Sequence, residues 1–526
     1  MRRLCRFNTR RLAGWAVLLL AVAAATPAWA YDNADRWQFT ALDGAVAPTG
    51  QPITLTWSIV PDGTLIPNVF PGTNRNSNLR ATLDTLFPGG ESEWFPVIAS
   101  TFERWESISG IDFVYEAADD GEEHHFEDNP GVAGVRGDVR LGGTLIDGTS
   151  GTFLGSVGYS YWPDYGEVVL DTADTGYYGD EASNHLKLRH TLMHEIGHAL
   201  GLGHVSSAAT DILMESFPQS HFDGPQIDDI RAVQYLYGDA LERSHGGAGN
   251  NSLANATPLG ALAAGETISL GADADSGFAV DFDESDFVSI ARASDLDYFA
   301  FTADGGSLVD VVLTPVGPTY IQFVQRTSRT NQVVASAVSD LSLELWDVTG
   351  TPELLATADA TAAGSVESIL GAELAAGGEY AVRVAGDGND VQLYRLDLVA
   401  VAAPVLAGDY NGNGVVDAAD FTLWRDTLGE TDNLAADGDL SGEVDQGDYD
   451  LWAANFGMTL DAAPAHLAAP EPNATLMGVI AVFTTPWLRG RSKRGWFATH
   501  AASRTAQPRN SSHGDRNILF LGNSPY

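Results

Sequence analysis

A chain of 526 residues exceeds what one hydrophobic core can serve, so several domains are expected. Its formal net charge of −42, from 70 acidic against 28 basic residues, argues against nucleic acid and anionic lipid as partners. The single cysteine is Cys5, so the chain beyond it has no disulfide and no thiol that could block a metal.

Residues 1–30 read as a secretory signal. Arg2, Arg3, Arg6, Arg10 and Arg11 precede an apolar run over 12–25, and Ala28-Trp29-Ala30 is a small-x-small cleavage site. An exported protein without disulfides must take its stability from its cores and from calcium. Residues 31–240 form the next unit. Residues 52–60 alternate like a strand, 91–108 carry helical periodicity, and 111–116 read as a second strand. An acidic loop over 119–125 follows; its His124 and His125 fit a solvated insertion better than a metal site. Strands are expected near 138–141, 155–162 and 167–171, then helices over 184–200 and 228–237, the second stopped by Gly238. Strands and helices in this order predict an α+β (α/β) domain.

The helix at 184–200 carries the chemistry. His194, Glu195, His198, Gly201 and His204 spell H-E-x-x-H-x-x-G-x-x-H, and Met214 follows ten residues later. Histidines four apart share one helix face, so both imidazoles reach one zinc ion. Gly201 lets the chain turn back with no side chain in the way, bringing His204 in as third ligand. Three protein ligands leave a fourth position for water, as catalytic zinc requires, and Glu195 stands beside the first ligand as general base. His190 lies one turn earlier and would close the open position, so it reads as packing or as a hydrogen-bonding neighbour. His221 is a candidate to line a substrate pocket.

Residues 241–250, with Gly246-Gly247-Ala248-Gly249, read as a linker. Residues 251–402 alternate in short segments broken by Gly, Asp and Ser, which predicts a β-sandwich. Residues 405–460 hold a repeat. Asp409, Asn411, Asn413, Val415, Asp417 and Asp420 occupy the six ligand positions of a calcium loop, and Asp437, Asp439, Ser441, Glu443, Asp445 and Asp448 do so again. Each loop runs into a short helix, predicting a small all-α module with two calcium ions. In both, a final aspartate replaces the usual glutamate. Residues 468–494, with Pro470-Glu471-Pro472, about fifteen apolar residues and then Arg489, Arg491, Lys493 and Arg494, fit a processed sorting tail better than a permanent membrane span. Residues 495–526 read as disordered.

The zinc string, Met214 and the stretch 228–238 resemble the matrixin branch of the metzincin proteases, over 31–240. The resemblance implies that Met214 forms a tight turn beneath the zinc, that 155–162 is the edge strand pairing with peptide substrate, and that 216–226 wall the pocket beyond the cleaved bond. Two departures stand out. Glu215-Ser216 follows the methionine where Tyr-Pro or a similar pair is usual, and no histidine lies in 138–170 for a second zinc, so one zinc is expected. Asp171 and Asp174 could bind a calcium that ties the sheet, although a turn explains them as well. Residues 251–402 resemble the bacterial pre-peptidase C-terminal domain through Asp295-Leu296-Asp297-Tyr298-Phe299, 340–346 and Gly378-Glu379-Tyr380. The calcium loops resemble dockerin repeats, implying a cohesin-like or envelope partner, and the tail resembles PEP-CTERM sorting signals. Together these imply an exported bacterial zinc endopeptidase, extracellular or attached to the cell envelope, acting on protein or peptide. The alternative is a calcium-dependent surface-assembly protein with a degenerate protease domain.

Overall fold

The computed structural model describes residues 33, 35–45, 48–69, 72–124, 131–148, 156–207, 211–217, 219, 221–275, 277–324, 330–374, 377–402 and 406–460. The signal at 1–30, His125, and the tails at 468–494 and 495–526 lie outside them. The chain forms two compact units, Met1–Val401 and Ala402–Tyr526. Among the described residues no helix is long and apolar enough to cross a membrane.

The elements of the first unit that position the site are strand β1 (Ile53–Ile59), helix α1 (Glu91–Ser107), then β2 (Ile111–Tyr115), β3 (Val139–Thr144), β4 (Gly158–Ser160) and β5 (Glu167–Asp171). These strands form one sheet in the order β2-β1-β3-β5-β4. All neighbours are parallel except β4, which closes the edge antiparallel to β5. Both β3 and β5 are buried throughout, as expected of central strands in a parallel sheet with covered faces. Helix α1 buries Trp94, Ile98, Phe102 and Trp105 beside helix α2 (Leu186–Ala199). A short strand β6 (Val205–Ser207) and helix α3 (Ile227–Tyr237) follow.

Residues 257–402 supply two five-stranded sheets. One contains β7 (Thr257–Leu262), β10 (Leu296–Ala303), β17 (Gly378–Gly386), β14 (Leu341–Asp347) and β15 (Glu353–Ala358), in that order. The other runs β8 (Thr267–Leu270), β18 (Gln392–Ala402), β11 (Ser307–Pro315), β16 (Glu367–Leu374), with β9 (Val288–Ile290) also on β18. Alternate residues such as Phe299, Phe301, Leu343, Leu345, Val382 and Leu396 fill the core between them. The hairpin of β12 (Thr319–Val324) and β13 (Thr330–Val334) leaves the sandwich and pairs with β6, giving a three-stranded sheet β6-β12-β13. Tyr320, Val333, Ala335 and Leu393 therefore belong to the same core as α1, α2 and α3.

In the second unit, helices α4 (Ala418–Thr427) and α5 (Gln446–Asn455) each start at a capping box, Asp417 with Asp420 and Asp445 with Asp448. Their contact is reciprocal. Trp424 Nε1 donates to the Asp445 carbonyl and Trp452 Nε1 to the Asp417 carbonyl, each at 2.8 Å.

Candidate active site

Helix α2 holds His194, Glu195 and His198 and buries Leu192, Met193, Ile196 and Ala199 on its packed side. It ends because Gly201 takes φ +100°, and a Cβ there would lie 2.4 Å from the Asp35 carbonyl oxygen. The reversal returns His204 to the helix. The Nε2 atoms of His194 and His198 stand 3.2 Å and 3.0 Å from that of His204. Their other ring nitrogens are held by backbone, as His194 Nδ1 donates to the Leu213 carbonyl and His198 Nδ1 to the Leu202 carbonyl, each at 2.7 Å. These bonds select the tautomer that leaves Nε2 as a lone-pair donor. Burial lowers the pKa of both helical imidazoles, which keeps them neutral. The three nitrogens fit a zinc ion with one position left open.

Glu195 lies under the edge strand. A Cβ at Gly158 of β4 would meet its Cγ and Oε1 at 3.2 Å. Burial pushes its carboxyl up to about 8; positive charge at the imidazole focus would draw it back down. Trp162, just past β4, is exposed and meets the His198 ring edge-on at 5.6 Å. Met214 is buried beneath α2. Met214 packs closely on Gly197, where a Cβ would stand 2.5 Å from its Sδ.

The turn at Met214 hangs from α3. Asp229 accepts from Leu213 N at 2.8 Å and Met214 N at 3.1 Å, and the Leu213 carbonyl is the one that holds His194. Asp229 lies in the stretch 228–238 that carries the family resemblance, but its role depends on a fold-back invisible in spacing. Glu215, the departure from the family pattern, also has work here, accepting from Ser207 N at 3.0 Å and Gln219 Nε2 at 3.0 Å.

Other expected residues fall elsewhere. Asp171 accepts from the backbone N–H groups of Asp147, Gly148 and Ala173 at 2.7–3.0 Å, and Asp174 precedes a one-turn helix, Thr175–Tyr178. His124 is not solvated but buried against Gly142, and burial lowers its pKa to about 3; its N–H donates to the Leu65 carbonyl of a separate two-stranded hairpin. His190 packs edge-on against Phe222, and the exposed His221 meets Asp211 at 2.8 Å. In the second unit Asp409 takes Asn413 N and Gly414 N as Asp437 takes Ser441 N and Gly442 N, while Asp420 and Asp448 close the loops on Asn411 N and Asp439 N. Asp437, Asp439 and Asp448 bring oxygens close enough for one ion. A third group, missed in the sequence, is the buried Glu242, Asp295 and Asp297. The Asp-x-Asp signal was present there, but its partner Glu242 is remote.

Residues 88–238 match the family model for Matrixin. Similar curated proteins include Metalloendoproteinase 1-MMP of Arabidopsis thaliana, 28% identical over 29% of this chain and 37% of its own length. Matrix metalloproteinase-25 of Mus musculus is 34% identical over 18% of this chain and 16% of its own. The chain thus spans less than two fifths of either relative. Among solved structures, the pre-peptidase C-terminal domain of a collagenase from Bacillus anthracis aligns over 27% of this chain and 95% of its own, at 12% identity and TM-score 0.16. Three converging imidazoles, their carbonyl anchors and the family match agree that residues 88–238 are a matrixin domain, with the α/β metzincin fold that this implies.

Proposed function

We propose that this protein is an exported zinc endopeptidase. The observation that carries the reading is the meeting of three Nε2 atoms, two with Nδ1 locked on carbonyls, beside a buried carboxylate at a sheet edge. Zinc held by His194, His198 and His204 would supply the positive charge that activates water and polarises a peptide carbonyl. Strand β4 offers an open edge on which an extended peptide can pair, laying the scissile bond above Glu195. Glu195 takes the proton from the attacking water on its carboxylate and returns it to the leaving amine. Residues 216–226 wall the side chain that follows the cleaved bond. The alternative of a degenerate protease domain is not favoured, since Glu195 and all three ligands stand together. The paired loops at 409–420 and 437–448 would take two calcium ions and dock a cohesin-like or envelope partner, with the signal and tail directing export to a bacterial surface.

The test uses the full chain and its Glu195→Gln twin. The variant should keep one zinc and lose peptide turnover by about 10²–10⁴-fold. Full activity in the variant would sink the mechanism.

A further inference from the structure

Strand β6 begins one residue after the third ligand, His204, and is only three residues long. Such a strand has little stability alone, and its free edge would need covering. One side of β6 is taken by the Met214 turn, with Val205 N on the Met214 carbonyl at 3.1 Å and Ser207 N on Glu215 Oε1 at 3.0 Å. The other side is covered from the sandwich. Val205, Ser206 and Ser207 register against Val324, Phe323 and Gln322 of β12, and Ser207 Oγ donates to the Ile321 carbonyl at 3.0 Å.

A second route leaves the same strand. The buried Tyr320 hydroxyl of β12 donates to Asp228 Oδ1 and accepts from Arg231 Nη1 at 3.2 Å. Arg231 continues to Asp390 Oδ1 at 3.1 Å and the Val391 carbonyl at 3.0 Å. Asp228 and Arg231 lie in the first turns of α3, around Asp229, whose carboxylate carries Leu213 N and Met214 N. The Leu213 carbonyl then fixes His194. One backbone path and one side-chain path thus run from β12 to two of the three imidazoles.

We infer that β12 is a working part of the zinc site, with Tyr320 a positioning residue for His194 through α3, and with the pairing of residues 322–324 on β6 steadying His204. The inference rests on the zinc-endopeptidase reading. Buried hydrogen-bonded networks of this kind hold geometry tightly because no water competes for their members, and groups that orient metal ligands commonly govern affinity for the ion.

The experiment compares full-length wild type, Tyr320→Phe, Ser207→Ala and Leu343→Ala. Leu343 lies in the sandwich core, away from β12's contacts with α3, and reports what simple loss of sandwich stability does. Zinc affinity is read by competition with a chromophoric chelator, and kcat and KM on a quenched peptide. Tyr320→Phe keeps the ring and should weaken zinc binding about tenfold, lowering kcat more than KM. Ser207→Ala leaves the buried network intact and should shift affinity the same way by about threefold; it decides the matter if Tyr320→Phe fails to fold. Leu343→Ala should lower the melting temperature with zinc affinity within about twofold of wild type. Wild-type affinity and kcat in both β12-linked variants, or an equal loss in Leu343→Ala, would overturn the inference. Zinc binding by a wild type that cleaves no peptide would instead overturn the endopeptidase reading, leaving the affinity comparison to judge the role of β12.

Discussion

Gly197 sits between His194 and His198 on the face of α2 that rests on Met214, so the absence of a side chain is itself a site feature. A methyl group placed there would stand 2.5 Å from the Met214 sulfur and 3.3 Å or less from other atoms around it. The buried Met214 or Trp105 side chain would have to shift, and Met214 adjoins Leu213, whose carbonyl orients His194. Gly197→Ala should therefore cost about 1–3 kcal/mol of stability, checked by urea unfolding of the zinc-free protein, and should weaken zinc binding in a chelator titration. The five motif residues were legible because their spacing is set by one helix and one turn. Asp229 and Glu215 were not, since each acts on a backbone brought near by the path of the chain. His124 was misread for the same reason: an acidic neighbourhood in sequence suggested solvent, while the fold buries its ring under Arg140 and Gly142.

Elements were read more reliably than side-chain roles. The strands expected at 52–60, 111–116 and 167–171 occur as β1, β2 and β5, and the helices at 91–108, 184–200 and 228–237 as α1, α2 and α3. Periodicity and terminators act locally, which is why they survive translation into structure. The edge strand was expected over 155–162 and is three residues, Gly158–Ser160. Its pairing stops where Trp162 to Gly166 turns back through Gly166 N and the Trp162 carbonyl. The register of the hairpin β12–β13 on β6 had no sequence signature at all. In the acidic loop at 437–448 a single aspartate serves two ends. Asp448 accepts from Asp445 N as part of the capping box and from Gly438 N and Asp439 N across the loop. Asp448→Ala should lose about 1 kcal/mol from the missing cap alone. It should also abolish the calcium-dependent rise in melting temperature assigned to that loop. An unchanged response to calcium would remove Asp448 from the ligand set.

At the scale of the whole first unit, the sandwich keeps a core of its own but Val280, Phe287, Tyr320, Val333 and Leu393 enter the core of the matrixin domain, and the Gly-rich segment at 241–250 gave no hint of it because the residues that join them are scattered from Arg104 to Leu393. Gln226, at the start of α3, accepts from Val280 N and donates to the Val280 carbonyl. Close to the same joint lie Asp239, Glu242, Asp295 and Asp297, all buried, with Asn251 bridging Glu242 to Leu296 N. Burial first, and then their mutual repulsion, raises the pKa of Asp239, Glu242 and Asp297, and burial raises that of Asp295. The sign follows directly. Folded groups with raised carboxyl pKa values bind protons that the unfolded chain has released, so their stabilisation is complete below about pH 4 and is lost as pH rises through neutrality. In chelator, the urea midpoint of the full chain should decrease as pH is raised from about 5 to about 8. Asp239→Asn with Glu242→Gln should flatten that slope; a midpoint that rises with pH would show that other groups dominate.

The pairing of β6 with β12 also has a meaning in time. Ser207 and Ile321 are 114 positions apart, so the strand beside the third histidine finds its neighbour only after much of the sandwich has been synthesised. Contacts of that separation form late in folding. A nascent chain ending before β12 carries every residue of the zinc motif without the strand that flanks it. If the protein is the endopeptidase proposed and β12 steadies its ligands as inferred, such a delay makes the growing polypeptide its own safeguard: the blade is fitted only when the handle is complete.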